Sequence, residues 1–147
     1  MNLVLTSIRP AHDKAIDALL VNYIKRTSRY APAETLQHRS EDAFLTWLTR
    51  QRAASPTFAT LLDARGKLLS SEAFANSIAG IRGSGKRTLV LAIGPADGWS
   101  RPALDAADSL LSLGPMTLAH QIARLVLAEQ VYRAFTILAN HPYHSGH

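Results

Sequence analysis

The chain contains no cysteine. That excludes disulfides and thiolate metal sites, while saying little about compartment. Long hydrophobic runs are missing too: nothing approaches the ~20 consecutive apolar residues that cross a bilayer, so no membrane span is expected. The opening residues, Met1 to Ile8 (MNLVLTSI), are too short for a signal peptide and lack its charged front. A cytoplasmic location is the expectation. Charged residues make up only 18% of the chain and apolar residues 47%, proportions of an ordinary folded protein that exclude wholesale disorder. No internal repeat or linker interrupts it. The 147 residues therefore fit one domain, 1–147, with a core of reasonable size.

What is present in excess is positive charge. Eleven Asp and Glu face sixteen Lys and Arg, twelve of them Arg, for a net charge of +5. Guanidinium grips phosphate bidentately, so this balance suits an anionic partner such as nucleic acid. Charge alone does not decide the matter, because many proteins of this size are modestly basic.

The hydrophobic pattern alternates between two periods. Leu3 to Ile8 is β-rich and stops at Arg9-Pro10, and Asp13 to Arg26 carries Ile16, Leu19, Leu20, Tyr23 and Ile24 at helical spacing. Ala33 to Arg39 is a weak strand at best. Ser40-Glu41-Asp42 reads as a helix start, and the helix ends before Pro56. Thr57 to Asp63 is a strand followed by a turn at Ala64-Arg65-Gly66-Lys67, and Ser70 or Ser71 caps the next helix, which reaches about Ile81. Arg87 to Ile93 is almost wholly apolar after Thr88, as expected of a strand buried on both faces. A helix with Pro102 in its first turn follows, and a last helix from His120 to Ala139 is about 30 Å long. Ile122, Leu125, Val126, Glu129, Tyr132 and Thr136 form its expected stripe. Strands alternating with helices predict an α/β fold with a largely parallel sheet.

Two nucleotide motifs are excluded. Gly80-Ile-Arg-Gly-Ser-Gly85-Lys86 has the glycine and lysine spacing of a phosphate loop, but Arg87 stands where Ser or Thr should hold magnesium. Its glycines also follow a helix and precede a strand, the reverse of that motif, and fit a helix end with a basic turn. Gly94-Pro95-Ala96-Asp97-Gly98 lacks the dinucleotide pattern, yet it follows a buried strand, where open α/β sheets bind ligands.

Three segments together are more specific. They are Leu62 to Glu72 (LDARGKLLSSE), Ile93 to Gly98 (IGPADG), and Met116 to His120 (MTLAH) with Glu129 to Ala134 (EQVYRA) and His141 to His144 (HPYH). In this order and spacing they resemble the RlmH (YbeA-type) family of SPOUT methyltransferases, strongly over about residues 57–144. The resemblance implies a SPOUT-type α/β fold with a C-terminal trefoil knot, an exception to the rule against threaded chains. It implies a homodimer that uses S-adenosyl-L-methionine to methylate N3 of a pseudouridine in large-subunit (23S) ribosomal RNA of the assembled ribosome. Carried over by residue, the cofactor positions are Leu62, Gly94, Pro95, Gly114, Pro115, Met116, Thr117, Leu118 and Ala119. The catalytic positions are Arg133, Tyr143 and His144, on a tail that completes the other subunit's site. No metal is expected.

The residue types suit these roles. Leu62, Met116 and Leu118 offer apolar walls, and Tyr143 can stack on an extruded base while Arg133 clamps or orients. His144 is the candidate base for N3–H, since an ordinary histidine is largely neutral near pH 7. His120, in the first helical turn, reads as structural. Three positions depart from the family pattern: Pro95 replaces a glycine, Ala119 a proline and Ser145 an arginine. The last removes a phosphate contact that Arg65, Lys67 or another basic residue is expected to replace. Other outcomes consistent with the residues are an RNA-binding dimer without methyl transfer and a methyltransferase of another RNA such as tRNA.

Overall fold

The computed structural model describes residues 1–145. Five strands, β1 (Asn2–Ile8), β2 (Ala33–His38), β3 (Thr57–Leu68), β4 (Thr88–Ile93) and β5 (Ser109–Ser112), form one sheet in the order β2-β1-β4-β3-β5. Every neighbouring pair is parallel. The helices are α1 (Lys14–Thr27), α2 (Glu41–Ala54), α3 (Ser71–Gly83), α4 (Arg101–Ala106) and α5 (His120–Leu138), followed by a short 3-10 turn at Pro142–His144. Among the described residues, no helix is long and apolar enough to cross a membrane.

The central strand β4 explains the layering. All six of its residues are buried, so both faces of the sheet must be covered. Leu89, Leu91 and Ile93 point into a core shared with α1, α3 and α5; Val90 and Ala92 point into a second core with Phe44 and Leu48 of α2 and Ala103 of α4. The helix starts follow local chemistry. Asp13, Ser40, Ser70 and Ser100 each accept a backbone N–H through the side chain, and acids occupy the first turns of α1, α2 and α3.

Three expectations need correction. Residues Ala64 to Lys67 are not a simple turn, because β3 continues to Leu68. Leu62 and Lys67 both pair with Leu111 of β5, so residues 63–66 bulge out between two pairings. Gly66 makes this close approach feasible: a Cβ there would lie 2.5 Å from the Leu111 amide nitrogen. The segment Ala33–His38, weak by pattern, is a full edge strand that hydrogen-bonds only to β1. Edge position explains its alternating, partly polar character.

The third correction concerns α5. Its buried face is Arg124, Leu127, Ala128, Val131, Ala134 and Phe135, together with Tyr132 and Thr136. Leu125, Val126 and Glu129 are only half-buried and Ile122 is 42% exposed, so the expected stripe is mostly a second, outward face. The helix is apolar on two sides. It closes with Asn140 in the left-handed region (φ 54°), and the amides of Asn140 and His141 bond the carbonyls of Ile137 and Thr136. That closure, followed by Pro142, turns the tail back along the helix.

Candidate active site

A cleft of about 620 Å³ opens where β3, β4 and β5 end. Its walls come from Leu62 to Arg65 after the regular part of β3, from Gly94 to Trp99 after β4, and from Leu111 to Leu118 after β5, with His120 and Ala123 of α5 closing it. Of the nine expected cofactor positions, all but Ala119 line it: Leu62, Gly94, Pro95, Gly114, Pro115, Met116, Thr117 and Leu118. Ala119 instead starts α5, and its side chain offers no capping hydrogen bond.

Several backbone groups of the cleft are already committed internally. The Leu62 carbonyl accepts the indole N–H of Trp99 at 2.9 Å. The Gly94 carbonyl accepts from Nε2 of His120 at 3.0 Å. Ser112 spans Gly114, its Oγ lying 3.1 Å from the glycine carbonyl and 3.2 Å from its amide. The first two bonds tie the end of β4 to β3 and to α5, and the Ser112 bonds shape the loop after β5. Gly94 is a glycine for steric reasons, since a Cβ would come within 2.7 Å of the Trp99 ring. The turn at Pro95–Gly98 is closed by a 2.9 Å bond and needs Gly98 at φ 89°.

His120 and Trp99 were not singled out by sequence as site residues, and His120 read only as structural. Both line the cleft and hold its backbone. Burial lowers the His120 pKa and Arg124 adds to the shift, against the opposing bond to Gly94. A neutral ring donating through Nε2 leaves Nδ1 bare, and that atom is buried with no hydrogen-bond partner among the described residues.

The bulge beside the cleft holds a fork. Arg65 donates from Nε and Nη2 to the two carboxylate oxygens of Asp63 at 2.9 and 3.0 Å, which lowers the Asp63 pKa despite its partial burial. Arg65 is thus paired with Asp63 while its side chain stays 69% exposed.

The expected catalytic residues gather elsewhere. Glu129 Oε1 accepts from Arg133 Nε and Nη2 at 3.0 and 2.7 Å and from the Tyr143 hydroxyl at 3.1 Å. Arg133 lies 5.1 Å from the Tyr143 ring centroid, and the rings of Tyr143 and Tyr132 meet edge to face at 4.7 Å. Arg26 of α1, which sequence reasoning missed, sits 4.3 Å from the Tyr132 ring and 5.2 Å from Tyr143. The Tyr143 pKa is raised, first by burial and then by its bonds to Tyr23 and Glu129, so this residue is a phenol and not a phenolate at neutral pH. His144 has a buried Nδ1 with no partner among the described residues.

Thus the structure brings Arg133 and Tyr143 together but not into their own chain's cleft. No described residue of the tail lines it. Glu129, which anchors the tail, is nine residues beyond His120, about 14 Å along the helix axis.

The chain as a whole matches known proteins. The family model described as "Predicted SPOUT methyltransferase" matches residues 1–144. The chain belongs to the SPOUT methyltransferase family. Members of this SPOUT family take their methyl group from S-adenosylmethionine. A relative in Koribacter versatilis (strain Ellin345), named ribosomal RNA large subunit methyltransferase H, is 44% identical over the full length of both chains. One of the same name in Sinorhizobium medicae (strain WSM419) is 52% identical over 118 residues, 80% of this chain and 70% of that one. Among solved structures, the SpoU methyltransferase AviRb from Streptomyces viridochromogenes matches with a TM-score of 0.54 at 15% identity, over 94% of this chain and 60% of that one. The A. aeolicus TrmH/SpoU tRNA modifying enzyme gives 0.51 at 8% identity, over 95% and 78%. At such low identities these structures speak for the SPOUT fold alone.

Proposed function

We propose that this chain transfers the methyl group of S-adenosylmethionine to N3 of a pseudouridine in large-subunit ribosomal RNA, in the cytoplasm, at a site shared by two copies of the chain. The observation that carries the reading is a division of labour. The cofactor positions line one cleft, whereas Arg133, Tyr143 and His144 lie along α5 away from it. A second copy supplies the tail.

The cleft fits the cofactor on its own chemistry. Its volume is in the range of small-molecule sites, which run to roughly 300–1,000 Å³ and are mostly apolar with a few placed polar groups. Leu62, Met116, Leu118 and Trp99 are the apolar walls; Asp63, Ser112 and Thr117 are polar. The bound cofactor supplies a methyl group already activated on a sulfonium. What remains for the protein is placement of N3 and removal of its proton. Holding reactants in line is worth up to about 7–11 kcal/mol, and general-base help about 10²–10⁴-fold.

Glu129 fixes the angle between Arg133 and Tyr143. Tyr143, held as a phenol, donates or stacks and takes no proton. Arg133, whose pKa is raised by Glu129, stays a cation that orients the base or neutralises a phosphate. His144 is the proton acceptor of the tail.

The outward face of α5, with Ile122 42% exposed, supports pairing of two copies through that helix. The direct test is mass spectrometry of ribosomal RNA nucleosides from cells lacking the gene. Loss of N3-methylpseudouridine, restored by the gene, is expected; its persistence would remove the substrate assignment.

A further inference from the structure

The connections that enter the sheet at the edge opposite the cleft concentrate one sign of charge. Residues 25–32, 50–56 and 82–87 close α1, α2 and α3 and lead into β2, β3 and β4. They hold half of the chain's 16 Lys and Arg and none of its 11 Asp and Glu. The cleft-bearing edge, by contrast, mixes signs, with Asp17, Glu41, Asp42 and Glu72 in the first helical turns.

The parallel topology sets these connections side by side, because β2, β4 and β3 all begin at this edge. Backbone bonds tie them together. Arg87 donates to the Pro56 carbonyl at 2.9 Å, Asn2 donates to the Arg87 carbonyl at 2.7 Å, and Leu3 donates to the Pro32 carbonyl at 2.8 Å. Lys25, Arg29, Arg50, Arg82 and Arg87 are exposed, and among the described residues none of these side chains has an ion-pair or hydrogen-bond partner.

Helix dipoles favour bases in last turns, which accounts for Lys25 and Arg82. They do not account for Arg29 or Arg87, which lie beyond the helix ends. The turn between α3 and β4 is also sterically open, since a Cβ added at Gly80, Gly83 or Gly85 would meet nothing within 4 Å. Here the glycine-rich segment that imitates a phosphate loop acquires a use, as a basic and unobstructed approach. Four neighbouring strand starts span about 15 Å at ~4.8 Å per strand. That is the footprint of a nucleic-acid backbone rather than of one phosphate.

The edge is coupled to the tail. Arg26, from the first of the three connections, lies 5.2 Å from the Tyr143 ring. It is far from its own cleft, since the six residues of β4 separate the two edges by about 20 Å. We propose that this edge is a phosphate-docking surface for the RNA substrate, and that it travels with the tail to serve the cleft of a second copy. The inference rests on the proposed function for the identity of the polyanion.

The test compares the wild-type dimer with R82Q/K86Q/R87Q and, on the neighbouring connection, K25Q/R29Q. Binding to purified large ribosomal subunits and to a single-stranded RNA oligonucleotide is measured from about 50 to 200 mM salt. Each variant is expected to bind at least about tenfold more weakly at the low end, with a salt slope smaller by about 0.7–0.9 per lost contact. S-adenosylmethionine affinity should stay at the wild-type value, and R101Q, a charge loss on a residue paired with Asp105, should leave the slope unchanged. Wild-type RNA affinity and slope in both multiple variants, while wild type methylates normally, would overturn the docking surface and leave the enzyme reading intact. So would an equal loss in R101Q, or binding of anionic vesicles but not RNA through these residues. A wild-type protein that binds S-adenosylmethionine yet neither binds nor methylates RNA would overturn both.

Discussion

His120 donates its Nε2 proton to the carbonyl of Gly94 at 3.0 Å, so the first residue of the last helix holds the end of the central strand. This bond joins elements remote in sequence at the cleft proposed for the cofactor. Removing the donor leaves a carbonyl unsatisfied, a cost of roughly 1–3 kcal/mol. His120→Phe is expected to weaken S-adenosylmethionine binding about tenfold, whereas His120→Gln, with an amide N–H near the same position, should stay within about twofold. Calorimetric titration of both variants checks this. Loss in Gln with wild-type affinity in Phe would assign the effect to ring packing instead.

Gly94 and Trp99 give a second prediction for the same wall. A methyl at position 94 would strike the indole at 2.7 Å and displace the ring that holds Leu62. Overpacking of this kind costs about 1–3 kcal/mol. Gly94→Ala should lose cofactor affinity, and Trp99→Phe in the same chain should recover stability in thermal melts but not the Leu62 hydrogen bond. Undiminished cofactor affinity in Gly94→Ala would mean that the indole does not shape the site.

Gly66 is expected to be the least replaceable glycine. A Cβ there meets Leu111 and Leu110 backbone atoms at 2.5 to 2.6 Å, with no flexible side chain to yield. Gly66→Ala should cost at least about 2 kcal/mol, lowering Tm by about 4–8 °C in a chain of this size. A melting temperature equal to wild type would contradict the close approach of the β3 bulge to the Leu111 backbone.

Acid should destabilise the protein through two imidazoles. Burial lowers the pKa values of His38 and His120, so both stay neutral when folded at pH values where unfolded chains bind a proton, near 6.5 and below. The unfolded state then holds more protons, and stability falls as pH drops from about 7 through the unfolded value. Thermal melts across that range should show the decline. His120→Gln should flatten it, and an unchanged slope would exclude His120 as a source.

Much of the fold was legible because it rests on local signals. Serine and aspartate caps, the apolar run of β4 and the two hydrophobic periods located most elements. Non-local facts were not legible. The edge strand β2 looks polar because only one neighbour covers it, and β3 continues past Asp63 only because β5 lies close enough to pair again across Gly66. The inward face of α5 depends on which of two apolar sides meets the sheet, and spacing cannot choose between them. At the site, the cleft residues followed from the family resemblance, with Ala119 the exception. Trp99 escaped notice, and His120 read as structural without its partner, because their roles are bonds to carbonyls distant in sequence.

Glu129 links the cleft's helix to the tail, and its carboxylate accepts from both Arg133 and Tyr143. Glu129→Gln keeps the size but removes the charge that orients them. Since small misplacements can cost about 10²-fold, kcat should fall by about 10–100-fold with S-adenosylmethionine affinity unchanged. A parallel loss of cofactor affinity would place Glu129 in the wrong site.

Subunit complementation reaches the shared-site claim most directly. A chain with a damaged cleft (Gly94→Ala) and one with a damaged tail (Tyr143→Ala, His144→Ala) are each expected to be inactive on large ribosomal subunits. Mixed and allowed to exchange, half of the dimers carry one intact cleft facing one intact tail, and methylation should return to about a quarter of the wild-type rate. No recovery, with mixed dimers demonstrated by native mass spectrometry, would mean that each chain acts with its own tail.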